Sequence, residues 1–124
     1  MPSSLPLDEY VTATTTDDGS GVTGSALTTI GPRRYGETWY VNLISTQVNS
    51  TAQSTLKIYR GVKSATSIVA GTYSANFDTA SGGSEIIVKN GDKLTFEWTG
   101  ADIGVECQAR LEGVLYSDRI GQGG

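Results

Sequence analysis

The 124-residue chain has no histidine, which removes the commonest general base near neutral pH and the commonest metal ligand. Ser-His-Asp triads, Cys-His pairs and ordinary zinc sites are thereby excluded. Cys107 is the only cysteine, so no internal disulfide forms and the fold does not lean on an oxidising compartment. No apolar run approaches the ~20 residues that a membrane span needs. Basic residues are few: nine Lys and Arg face 13 Asp and Glu, for a net charge of −4. A nucleic-acid binder carries a basic stripe, and here only Arg33 and Arg34 stand together. The opening MPSSLPLDEY lacks the basic region and apolar block of a signal peptide, which points to assembly in cytoplasm.

What the chain does have is 16 Gly and abundant Thr and Ser, a composition that disfavours long helices. Its hydrophobic period is two almost throughout. Trp39, Val41 and Leu43 fall on one face of Thr38–Ile44, with Thr38, Tyr40 and Asn42 opposite. Leu94, Phe96 and Trp98 share a face of Lys93–Trp98. From Val105 to Leu115 the odd positions read Val, Cys, Ala, Leu, Gly, Leu. Such alternation describes half-buried strands with one wet face.

Weaker strands are predicted at Tyr10–Thr16, Val22–Ile30, Leu56–Arg60, Ser67–Ala70 and Ser84–Lys89, divided by turn residues. Asn90-Gly91 between SEIIVK and DKLTFEW predicts a hairpin of those two strands. A short helical turn has room near Thr46–Thr55 or Ser64–Ser67. The expected fold is all-β: one antiparallel β-sandwich or jelly roll of about seven or eight strands over residues 10–116. Residues 1–9, with two of the three prolines, read as an N-terminal arm, and 117–124 as a flexible C-terminal tail.

Motifs that could carry chemistry have plainer readings. Gly19-Ser20-Gly21-Val22-Thr23-Gly24 matches G-x-G-x-x-G, but neither a buried strand precedes it nor a helix follows, so a Gly-rich loop is expected. Asn49-Ser50-Thr51 is a glycosylation sequon that also suits a turn. Asp17, Asp18, Asp78, Asp92 and Asp102 fit turn chemistry and match no EF-hand loop. Glu85, Glu97, Glu106 and Glu112 occupy wet-face positions, where charge keeps a protein soluble; a carboxylate pair for glycoside hydrolysis is the rival reading. Catalytic, cofactor and metal residues are therefore expected to be absent. Trp39 and Trp98 read as core. Tyr35, Tyr40 and Tyr59 read as exposed, to stack on sugars, anchor an interface or stiffen the sheet. Gly31-Pro32 ends a strand, Gly36 frees the backbone before Trp39 enters the core, and Arg33 and Arg34 remain on a rim beside Glu37.

GPRRYGETWYV, LKIYRG and NGDKLTFEWTGADIG together resemble small β-rich accessory virion proteins of tailed bacteriophages of actinobacteria. The resemblance covers about residues 30–115. Tyr35, Gly36, Glu37, Trp39 and Val41 match its first motif, and Trp98, Gly100, Asp102 and Gly104 its last, all as fold determinants. It implies a non-enzymatic structural role in the virion, assembled in the host cytoplasm. The implied partners are the major capsid protein or other virion proteins, with a homo-oligomer expected and a trimer suited to a three-fold lattice site. A capsid decoration protein leads; a tail or neck protein and a carbohydrate-binding module are the alternatives. In that last case Tyr40 and Tyr59 would share one open face.

Overall fold

A computed structural model describes residues 3–80, 82 and 85–117. Among them the chain forms ten strands and no helix: β1 (Ser3–Thr14), β2 (Thr16–Asp17), β3 (Gly24–Ile30), β4 (Glu37–Val48), β5 (Thr55–Arg60), β6 (Ile68–Thr72), β7 (Phe77–Ala80), β8 (Ile86–Lys89), β9 (Leu94–Ala101) and β10 (Glu106–Ser117). They make two five-stranded antiparallel sheets. Sheet A runs β1-β10-β4, with β7 and β8 sharing the far edge of β4, and sheet B runs β2-β3-β9-β5-β6. The expected all-β sandwich is the observed one, with more strands than the seven or eight predicted.

The core lies between the sheets. Leu7, Val11, Trp39, Ile44, Cys107 and Leu111 from sheet A meet Ile30, Leu56, Ile58, Leu94, Phe96 and Trp98 from sheet B. Phe96 and Trp98 stack at 6.0 Å and 23°. Both tryptophans are fully buried, as expected, and each indole N–H has a partner: Trp39 Nε1 donates to Glu37 Oε1 at 2.9 Å, and Trp98 Nε1 to Thr46 Oγ1 at 2.9 Å. A buried donor without an acceptor would cost about 1–3 kcal/mol, so these two polar partners are part of the core.

Five expectations require correction. First, the arm expected at 1–9 is a strand from Ser3 onward. Residues 3–9 pair with 111–117 of β10, and Leu7 enters the core. Pro6 is tolerated there because β1 is an edge strand, where a missing N–H need not break a ladder. At the other end Ser117 closes β10; the predicted tail beyond it lies outside the described residues. Second, the strand expected at Tyr10–Thr16 divides at Thr15, where the chain leaves sheet A for sheet B. Third, Thr46–Val48 is strand, and the following 49–54 is loop rather than a helical turn. At Ser64–Ser67 one turn does close, through Ser67 N to Ser64 O.

Fourth, β8 and β9 are not a hairpin. The Asn90-Gly91 turn forms, with Asp92 N donating to Lys89 O at 2.9 Å, but β8 pairs with β4 and β9 with β3 and β5. The local turn is a corner between sheets, because each flanking strand finds its partners in a different layer.

Fifth, the alternation of β4 breaks. Leu43, expected inside, is 43% exposed, and Ile44 is 3% exposed. The pairing with β10 shifts between Glu112 and Gly113: Leu43 faces Glu112, Val41 faces Gly113, and Asn42 is the unpaired extra residue of a β-bulge. Both Asn42 and Leu43 then point outward, and Ile44, Thr46 and Val48 take the inner face. Gly113 is required opposite the bulge, since a β-carbon there would lie 1.9 Å from the Tyr40 carbonyl oxygen.

Candidate functional site

Most polar groups singled out in the sequence are committed to building the fold. Thr15, 2% exposed, ties the two sheet crossings together. Its hydroxyl donates to Asp102 O at 2.6 Å and accepts from Val105 N at 3.0 Å, while its backbone bonds Val105 O and Gly104 N. The WTGADIG segment, residues 98–104, is thus the corner at which β9 of sheet B turns into β10 of sheet A. Asp102 extends the corner to the 49–54 loop. Its carboxylate accepts from Thr51 N at 2.7 Å and Ala52 N at 3.4 Å, and these backbone donors hold it below the usual carboxylate range. Ser50 of the sequon donates to Ala52 O and accepts from Asp102 N, so it is a turn residue. Asn76 seals the same loop, donating to Ser50 O and Ala52 O and accepting from Ser54.

The Gly19–Gly24 loop is filled by its own anions. Asp17 Oδ1 accepts from Gly19 N at 2.8 Å and Gly21 N at 2.9 Å; Asp18 accepts from Ser20 N and from the Thr23 hydroxyl at 2.7 Å. The Thr23 and Ser20 hydroxyls lower the Asp18 pKa. Backbone amides that might have cradled a phosphate are already occupied by carboxylates. Among the described residues no group of three His, Cys, Asp or Glu side chains is placed to hold a metal ion.

The four glutamates do not converge. Glu97 projects from the outer face of sheet B, where it accepts from Tyr59 Oη at 3.1 Å and pairs with Lys63. Glu106 and Glu112 project from the outer face of sheet A, where Glu106 accepts from Gln108 Nε2 at 2.8 Å and Glu112 forms an ion pair with Arg110 at 3.3 Å. Glu85 is exposed just before β8. Tyr59, expected to be open, is 5% exposed, and burial followed by the Glu97 bond pushes its phenol pKa up. Tyr40 lies on the outer face of sheet A, edge-on to Tyr116 at 5.0 Å. Tyr40 and Tyr59 therefore sit on opposite sides of the sandwich, and the shared open face expected for them is corrected. Tyr35 is exposed in the β3–β4 loop. Cys107 is buried, and desolvation pushes its thiol up to about 11.

One concave feature of the described surface that combines two exposed aromatics with polar groups was missed by the sequence reading. A shallow groove of about 400 Å³ crosses the outer face of sheet A. Strand pairing sets its floor: Tyr10, Arg110, Ser45 and Thr79 form one row across β1, β10, β4 and β7, and Thr12, Gln108, Gln47 and Phe77 form the next. Ser45 and Gln47 face outward because the bulge at Asn42 has reversed the phase of β4. Arg110 lies 5.6 Å from the Tyr10 ring centroid and is held by Asp8 through bonds of 2.8 and 3.0 Å. The Asp8 bond raises the Arg110 pKa, and the same bond lowers that of Asp8. The one sequence signal for the groove was Phe77, a lone aromatic in the polar run SANFDTA, with no alternation to mark it as core.

Compared with known families and with curated proteins, the chain matches no family model and no curated protein.

Proposed function

We propose that the protein is a non-enzymatic structural subunit of a tailed-phage virion, a capsid decoration protein that binds the capsid lattice in many copies. The observation that carries this reading is the strand order together with its free edge. Sheet A runs β1-β10-β4 with β7 and β8 both beside β4, and sheet B runs β2-β3-β9-β5-β6; this order supports reading the sandwich as a jelly roll, an architecture frequent in capsid and lectin domains. That support is fold analogy. The physical support is β1: twelve residues long and, among the described residues, paired on one side only, with backbone donors and acceptors on the other. Such an edge can take a strand from a neighbour, and repetition over a lattice turns weak single contacts into firm attachment. Pro6, Asp8 and the Arg33–Glu9 ion pair at 2.8 Å keep the same edge from indiscriminate pairing.

The polar side chains support a role without chemistry, since Asp17, Asp18, Asp102, Glu97 and Glu112 are bound into turns, a corner and ion pairs. The partner in this reading is the major capsid protein or another virion protein, and the subunit acts as a homo-oligomer, a trimer where it caps a three-fold site. A tail or neck position is the second form of the same proposal. The test is the copy number of this chain relative to the major capsid protein, by mass spectrometry of purified virions. Hundreds of copies are expected; a handful would move it to the neck or tail tip, and absence from particles would overturn the proposal.

A further inference from the structure

We infer that the groove on the outer face of sheet A binds a neutral oligosaccharide. Two aromatic rings stand at its ends, and neither has been drawn into the core: Tyr10 is 61% and Phe77 83% exposed. They are separated by three strand spacings of ~4.8 Å across the sheet and by two residues, ~7 Å, along it, hence ~16 Å on the diagonal, a span suited to a short chain of sugar rings rather than one ring. The C–H-rich faces of pyranose rings stack on aromatic faces, whose quadrupole is negative. Leaving Phe77 in water forfeits the stabilisation that burying such a ring gives, which a stacked ligand would recover.

The floor between the rings supplies amides and hydroxyls. Ser45, Gln47 and Thr79 make no side-chain hydrogen bond to another described residue, so their donors and acceptors are open to ligand hydroxyls. Floor residues on β4 and β10 are paired on both sides, which leaves no backbone edge in mid-groove for a peptide strand. The charge argues for a neutral ligand. Arg110 is the groove's one cation among the described residues, and Asp8 and Glu112 already neutralise it; Asp78 at the rim accepts from the Thr72 hydroxyl at 2.6 Å. Arg110 instead fixes the Tyr10 ring in place, a pre-organisation that lowers the entropy lost on binding.

This inference does not depend on the virion proposal: a purified chain can bind sugar whether or not particles carry it. The test is a titration of the full chain with short soluble neutral gluco-, galacto- and manno-oligosaccharides, followed by amide chemical shifts, with sialylated and sulfated glycans as the acidic set. At least one neutral series should shift amides of Ser45, Gln47, Phe77 and Arg110. Phe77→Ala should weaken that binding roughly three- to tenfold, as expected for one lost stacking contact. Tyr35→Ala, an equally exposed ring outside the groove, should leave it unchanged; both side chains are exposed, so neither variant threatens the fold. Flat titrations, a preference for the acidic set, or binding indifferent to Phe77→Ala would each overturn the inference.

Discussion

The two sheets handle one hydrophobic pattern in different ways. In sheet B the central strand β9 alternates without interruption from Leu94 to Trp98, so those two residues and Phe96 all lie in the core while Thr95 and Glu97 face out; its pairing with β3 shifts only beyond Trp98, where Gly100 is the extra residue between Thr99 and Ala101. In sheet A the central strand β4 alternates, stops at the Asn42 bulge, and resumes one residue out of step. Sheet B thereby presents an outer face closed over by Tyr59, Glu97 and Lys63. Sheet A presents an outer face with a groove, because the shift sends Ser45 and Gln47 outward between Tyr10 and Phe77. One added residue thus determines which polar side chains the molecule shows to its surroundings.

Substitutions can break this comparison at graded cost. The largest effect is expected in the regular stretch of β9: Trp98→Ala should destabilise by about 3–5 kcal/mol in denaturant unfolding, from the lost ring and the cavity it leaves. It also deprives the Thr46 hydroxyl of its indole donor. In the irregular sheet, Gly113→Ala should cost about 1–3 kcal/mol or unpair β4 from β10 locally, since the added methyl meets backbone that cannot rotate away. Fast amide exchange confined to residues 40–43 and 112–114 would identify the second outcome.

A smaller effect is expected from acid. The Asp102 pKa lies below its unfolded value of ~3.9, so the carboxylate contributes stability in full above that value. The contribution disappears as pH falls through the lower folded value. Asp102→Asn keeps a neutral acceptor for Thr51 N and should lower the melting temperature at pH 7, where the charge contributes in full, while approaching the wild type in acid, so that part of the decline between pH 5 and 2 flattens. An unchanged acid slope would show that the corner does not depend on this charge.

The sequence made the regular elements legible and the irregular ones illegible, for physical reasons. Leu94, Phe96, Trp98, Cys107, Ala109 and Leu111 were readable because strict alternation has one meaning on a pleated strand. The bulge was not, because Val41, Asn42, Leu43 and Ile44 alternate acceptably in either phase. Only Gly113, on a partner 71 positions away in sequence (113 − 42), marks the correct one. Asn90-Gly91 specified its turn and not the layer of each flanking strand, a choice made by long-range pairing. Residues 1–9 read as an arm because Pro2 and Pro6 punctuate them, although Leu5 and Leu7 already have strand spacing. The groove combines residues from four strands, and no local window contains it.

The displacement of phase at Asn42 is the claim on which the sheet A surface depends, and one pair of variants tests it. Ile44→Ala should lose about 2–5 kcal/mol of unfolding free energy, as a buried aliphatic does, while Leu43→Ala should change it by less than about 1 kcal/mol. The reverse order, with Leu43→Ala the costly change, would contradict the bulge and remove the floor of the groove with it.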